Sequence, residues 1–179
     1  KPRLKNLCKW NSSDKASSCP SKLLRFNSII YLGEKSMMVR EDWKLAYLEE
    51  SFEELTCLSG KPETGVFLVK KKSDGKIYVK KYMDPRSAAA CGRLRGLVNR
   101  NIAEIRDAAW NHEKGMVIEE FINGNTLAEQ MEKDGLFEEE RACNIIRDIC
   151  SGLFAIHNMG MVHRDIKPEN IMISNDGVV

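Results

Sequence analysis

His163-Arg164-Asp165-Ile166-Lys167-Pro168-Glu169-Asn170 is the stretch on which the reading of this chain turns. It sets a carboxylate, an ammonium and a carboxamide at Asp165, Lys167 and Asn170. Within one ordered loop, those offsets let all three side chains aim at a single small volume. Phosphoryl transfer calls for such a set. The carboxylate orients an attacking hydroxyl and takes its proton, the ammonium offsets charge on the transferred group, and the amide oxygen helps hold magnesium. Pro168 restricts Lys167 before it and stiffens the loop.

Upstream of the loop, Met161-Val162 reads as a short apolar strand, preceded by Gly160 as a helix C-cap. The helix so ended begins at Glu138-Glu139-Glu140, where the dipole favours negative charge. It carries Ala142, Ile145, Ile146, Ile149, Leu153 and Ile156 as one apolar stripe at three- and four-residue steps. Cys143 and Cys150, a heptad apart on the same helix, read as small buried hydrophobes. Before it, Thr126-Leu127-Ala128-Glu129 is a capping box opening a brief helix that stops near Gly135. Downstream, Ile171-Met172-Ile173 leads to Asp176-Gly177, a hairpin signal with only Val178-Val179 to return, so the backbone of 171–173 is expected to lack a partner.

The front half has strand character. Phe52 to Leu58, Val66 to Val69, Ile77 to Val79 and Met116 to Ile118 are apolar runs, and Asp74-Gly75 sets a hairpin between the second and third. Ala88-Ala89-Ala90 marks one short helix, Asn99-Arg100-Asn101 a turn, and Trp43 to Leu48 a helical or irregular lead-in. The expected class is α+β: a small antiparallel sheet (46–122) followed by a helical part (123–179), behind a basic, flexible segment (1–45).

Composition bounds the function. The 179 residues are 42% hydrophobic and 30% charged, as in ordinary globular chains, which argues against wholesale disorder or a coiled coil. Residues 1–40 carry a local charge of +7 and the remainder −5. A basic segment on an acidic body can touch nucleic acid or lipid, but charge alone favours that here, so nucleic-acid binding is not expected. No apolar run approaches the ~20 residues of a membrane span, and no apolar leader marks a signal peptide. The cysteines at 8, 19, 57, 91, 143 and 150 form no C-x-x-C pair, and His112, His157 and His163 are not spaced as their partners. Zinc is not expected, and a reducing cytoplasm is; Cys8 and Cys19 would pair only in an oxidising one.

The eight residues from His163 resemble the catalytic loop of eukaryotic-type protein kinases, and Lys167 two positions after Asp165 resembles the serine/threonine branch. The likeness covers roughly residues 50–179. It implies a kinase-like fold, with a sheet lobe and the start of a helical lobe, and transfer of phosphate from ATP to serine or threonine of a protein substrate. It implies Asp165 as catalytic base, Lys167 as a phosphate-contacting lysine and Asn170 as a nucleotide-site residue and Mg2+ ligand. On the third strand it implies a nucleotide-binding lysine at Lys81, with Lys80 the alternative; Lys81 shares a strand face with Val79 and lies fifteen positions after Val66. Leu58, Gly60, Gly65, Val66 and Val79 would line the nucleotide, and Glu120-Phe121-Ile122 would be the hinge whose backbone binds adenine.

Three departures cut against that pattern. The family's phosphate-loop glycines fall on Ser59, Lys61 and Thr64; Gly60 and Gly65 are each displaced by one, and Pro62 lacks a backbone donor. The helix glutamate that pairs with the third-strand lysine has no counterpart, because no acidic residue lies between Asp84 and Glu104 and its position lands near Ala90. Glu119, where the family has an apolar gatekeeper, offers a substitute partner for Lys81, or else faces solvent or binds another base. The Asp-Phe-Gly magnesium motif would follow Val179. This chain is therefore read as an N-terminal or truncated part of a serine/threonine kinase, inactive alone. A non-catalytic pseudokinase or binding module is the alternative, its partner (or the absent helices) covering the 142–156 face.

Overall fold

Five strands form one antiparallel sheet in the order β1-β2-β3-β5-β4, and the alternation of their side chains decides everything placed on it. The computed structural model describes residues 33–59 and 65–179, with side chains from Asp42 onward. The strands are β1 (Phe52–Cys57), β2 (Val66–Lys71), β3 (Ile77–Met83), β4 (Ile105–Trp110) and β5 (Gly115–Glu120). The Asp74-Gly75 turn joins β2 to β3, with Lys71 N donating to Lys76 O at 2.8 Å. In β5, Met116 and Ile118 point to one face and Val117 to the other, and all three are fully buried. Both faces are therefore covered.

One cover is α1 (Gly33–Ser51), a longer helix than the lead-in expected at 43–48, and it passes straight through position 45. Its last two turns are built of good helix formers such as Leu45, Ala46, Leu48, Glu49 and Glu50. Leu45 and Leu48, on one helical face, pack with Phe52, Phe67, Val69, Ala109, Met116 and Ile118. The packed body thus starts before residue 46, because these leucines have the sheet to lie on. Lys44 Nζ donates to Ala108 O at 2.6 Å and pairs with Asp107 at 2.8 Å, tying the helix to β4.

On the other face lies α2 (Pro85–Gly92). Asp84 caps it by accepting from Ser87 N at 3.0 Å, and Pro85 opens its first turn; the Ser87 side chain first and its backbone amide next hold the Asp84 carboxyl below its usual range. Ala88 is buried with Ile105, Ala108 and Val117. A Cβ on Gly115 would sit 2.3 Å from that of Ala88, so the close approach of α2 to β5 requires glycine.

After β5 the chain forms β6 (Gly124–Thr126), α3 (Leu127–Asp134), α4 (Glu139–Asn158), a single 3₁₀ turn (Pro168–Asn170) and β7 (Met172–Ser174). The capping box is present, with Glu129 N donating to Thr126 Oγ1 and Thr126 N to Glu129 Oε2. Residues 172–174 do have a partner. They pair antiparallel with β6, so the expectation of unpaired backbone there is overturned by a strand from before α3. No strand forms at Met161-Val162, where Val162 is exposed.

The α4 stripe divides. Ile145 and Ile156 are buried, with Ile145 against Leu127 and Ile173, whereas Ile146 is exposed. Cys143 and Cys150 are exposed as well, contrary to the sequence reading. They share a second face with Ile146 and Phe154, because steps of three, four and seven run along both sides of this helix. Arg93 Nη2 donates to Met159 O at 3.3 Å, and a Cβ on Gly152 would lie 2.7 Å from Asn101 O, so the segment after α2 rests on α4.

Candidate active site

The loop after α4 gathers its three polar groups on one carboxylate. Asp165 Oδ2 accepts from Asn170 Nδ2 at 2.7 Å and faces Lys167 Nζ at 3.1 Å, and Asn170 Nδ2 also reaches Asp165 O at 3.0 Å. Local backbone makes this convergence. Arg164 adopts a left-handed conformation with φ 68°, rare for a residue with a Cβ, and it reverses the chain just before Asp165. Lys167 is extended ahead of Pro168, and the 3₁₀ turn, with Asn170 N donating to Lys167 O at 2.9 Å, returns Asn170 to Asp165. The hydrogen bond from Lys167, then that from Asn170, hold the Asp165 carboxyl below the usual carboxylate range. Asp165 is therefore ionised at neutral pH and open to solvent.

On the sheet, the two adjacent lysines part company. Lys80 is 2% exposed and points to the α1 face. Its ammonium lies over the Phe67 and Tyr82 rings, at 5.4 and 5.0 Å, and is paired with Glu54. Lys81 points to the α2 face, opposite Val66 on β2 and Val117 on β5. Val79, two residues before it, shares that face and lies opposite Leu68 and Glu119. Lys81 Nζ meets Glu119 Oε2 at 2.6 Å, a pair 37% and 14% exposed.

From α2, the side chain within electrostatic reach of that pair is Cys91. Its thiol is pushed up by burial first and by the Glu119 carboxylate next, against the opposing effect of Lys81. The helix thus offers a neutral thiol near the place where the sequence reading looked for a carboxylate, one residue from Ala90.

The remaining nucleotide-site candidates are scattered around the sheet edge. Leu58 is exposed, with its amide donating to Val66 O at 2.6 Å. Val66 N donates to Ser59 Oγ at 3.1 Å. Gly65 is buried and accepts from Tyr82 N, extending the β2–β3 ladder; Gly60 lies outside the described residues. Glu120 is still within the sheet, its amide donating to Glu104 O at 2.9 Å, so an adenine donor or acceptor would have to be sought from its carbonyl and from Ile122. Ile122 and Phe121 leave the sheet between β5 and β6.

A magnesium ion takes few protein ligands, typically one or two plus phosphate and water oxygens. No group of three or more His, Cys, Asp or Glu side chains suited to a metal occurs among the described residues. With its amide nitrogen on Asp165, Asn170 has an oxygen as its remaining side-chain donor atom, the hard type magnesium accepts.

Two features escaped the sequence reading. One is strand β4, whose Ala108 and Ala109 have weak strand propensity. The other is the β6–β7 ribbon joining the exit of β5 to the residues directly after Asn170. Gly124 was its one signal: a Cβ there would lie 2.1 Å from Ile173 O.

Comparison with known proteins agrees with this layout. The family model described as protein kinase domain matches residues 60–179. A serine/threonine-protein kinase, drp72, of Corynebacterium efficiens is 40% identical over 76 residues, which are 42% of this chain and 14% of that protein. The serine/threonine-protein kinase PknL of Mycobacterium tuberculosis is 37% identical over 92 residues, 51% of this chain and 22% of its own length. The CBL-interacting serine/threonine-protein kinase 16 of Arabidopsis thaliana is 32% identical over 84 residues, 47% of this chain and 18% of that protein. The crystal structure of Rad53 1–466 in complex with AMP-PNP superposes with a TM-score of 0.62 at 25% identity, over 72% of this chain and 36% of that one. The chain thus spans under a quarter of these curated relatives' length. Its α+β architecture is that of a kinase sheet lobe followed by the start of the helical lobe. On the family match and these relatives, the chain belongs to the protein kinase domain family and resembles its eukaryotic-type serine/threonine members.

Proposed function

We propose that this chain supplies the nucleotide lobe and catalytic loop of an enzyme that transfers phosphate from ATP to serine or threonine hydroxyls of proteins. The observation that carries the reading is the convergence of Lys167 and Asn170 on an ionised Asp165. Asp165 orients the attacking hydroxyl and takes its proton as the new oxygen–phosphorus bond forms. Lys167 offsets charge on the transferred group. Magnesium, held in part by the Asn170 oxygen, would neutralise phosphate charge. Lys81, rather than the buried Lys80, is the lysine on the same sheet face as Val79 and Val66 and is assigned to the nucleotide phosphates. Leu58, Gly60 and Gly65 are assigned to the cover of the nucleotide, and the backbone of Glu120 and Ile122 to adenine.

The test is Asp165→Asn in the complete native gene product. Transfer of labelled phosphate from ATP to a protein acceptor should fall by about 10²–10⁴-fold with ATP binding retained. An undiminished rate would remove Asp165 from the chemistry. A second reading, a binding module without catalysis, is favoured by the absence of a carboxylate on α2 and by the exposed Cys143, Ile146, Cys150 and Phe154 face. Absence of any transfer by the native protein would select it. A cytoplasmic setting is proposed on the unpaired Cys57, Cys91, Cys143 and Cys150; no helix among the described residues is long and apolar enough to cross a membrane.

A further inference from the structure

We infer that Glu119 is the positioning carboxylate for Lys81, supplied by strand β5 instead of helix α2, so that the nucleotide lysine is aimed by sheet register alone. This deepens the phosphotransfer reading and rests on it. Lys81 has few candidates to hold its ammonium. Helix α2 contains no acidic residue, and the segment after it contains none before Glu104. Asp84, at the head of α2, spends its carboxylate capping that helix through Ser87 N. Glu104 is engaged by Arg106 at 2.8 Å. Among the described residues, Glu119 is the carboxylate that reaches Lys81 Nζ, at 2.6 Å.

The pair also explains why Glu119 is there. A side chain only 14% exposed, on a face it shares with Val79, Val117, Ala108 and Ile105, is a costly place for a carboxylate unless a cation compensates it. Lys81 provides that cation. Val79 pairs with Glu119 and Lys81 with Val117 across neighbouring hydrogen-bonded strands, so Lys81 and Glu119 are diagonal partners on one sheet face. Their alignment follows from the β3–β5 register and needs no movement of α2. A lysine held by a helix can be released when that helix swings away. This one is held by the sheet that carries it, and α2, only eight residues long, contributes a thiol nearby.

The experiment is a double-mutant cycle in the complete native gene product, with E119Q, K81M and the double variant. MgATP affinity is read by calorimetry, together with kcat and KM for ATP. The native protein should bind MgATP, and E119Q should weaken that binding by about 10-fold or more, the worth of one charge-assisted contact. In the K81M background, E119Q should change affinity by less than about 2-fold, since two residues acting through one contact are not additive. The double variant leaves no unpaired charge in the site, which separates misfolding from mispositioning. Equal affinity of E119Q and the native protein would overturn the inference. So would an E119Q effect of the same size with and without Lys81, which marks a merely structural carboxylate. A native protein that neither binds MgATP nor transfers phosphate would overturn the phosphotransfer reading, and this inference with it.

Discussion

Replacing Gly124 with alanine should loosen the loop that carries Asp165 without touching it. A Cβ at Gly124 would lie 2.1 Å from Ile173 O, 2.7 Å from Ser174 Cα and 2.8 Å from Ile173 C. Ordinary carbon contacts are about 3.5 Å, so β6 and β7 must part by roughly 1 Å. All three obstacles are backbone, which no rotamer change can clear. Hydrogen bonds flanking the ribbon run from Leu127 N to Ile171 O at 2.7 Å and from Asn175 N to Asn123 O at 2.9 Å. Lengthening either by 1 Å takes it beyond hydrogen-bonding geometry. Overpacking costs about 1–3 kcal/mol and each of the two lost bonds about 1 kcal/mol, giving a local destabilisation of roughly 3–5 kcal/mol. The assay is hydrogen exchange at the Leu127 and Asn175 amides, with phosphotransfer measured on the same protein. Protection should drop by at least about 100-fold, and transfer should fall because the chain leaving Asn170 has lost its anchor. Unchanged protection at both amides would refute the claim that this ribbon holds the catalytic loop in place.

Leu48→Ala should cost about 3 kcal/mol, because Leu48 is 3% exposed against the sheet and truncation leaves a cavity beneath α1. Thermal unfolding of the sheet lobe measures it, and a loss under ~0.5 kcal/mol would mean that α1 is not part of the core. For Asp165 the sign of the pH effect follows from its depressed carboxyl. The charged form is favoured in the folded protein, so the contacts from Lys167 and Asn170 persist above the unfolded carboxyl's titration and are lost as pH falls through the lower folded one. Carbon-13 NMR of that carboxyl should therefore place its titration below the usual carboxylate range, and Lys167→Met should move it upward. A midpoint indifferent to that substitution would show that Lys167 is not its main partner.

Sequence alone determined what depends on neighbours a few residues apart. The Asp165, Lys167 and Asn170 constellation sits within one turn-bounded loop, and the Thr126–Glu129 capping box within one helical turn, so fixed offsets define both. Strand alternation likewise made Val79 and Lys81 share a face, which the sheet keeps. Tertiary structure decided what depends on elements far apart in the chain. It buried Lys80 among Phe67, Tyr82 and Glu54 and set Glu119 beside Lys81, because strand register, not composition, chooses a partner across β3 and β5. It carried α1 through residue 45, since Leu45 and Leu48 become core only once the sheet lies beneath them. It exposed Cys143 and Cys150, because a helix with apolar residues on two sides does not say which side the neighbouring strands will cover. It paired Met172–Ser174 with Gly124–Thr126 across some fifty residues, a contact that no local period encodes and that only the closed backbone approach at Gly124 permits.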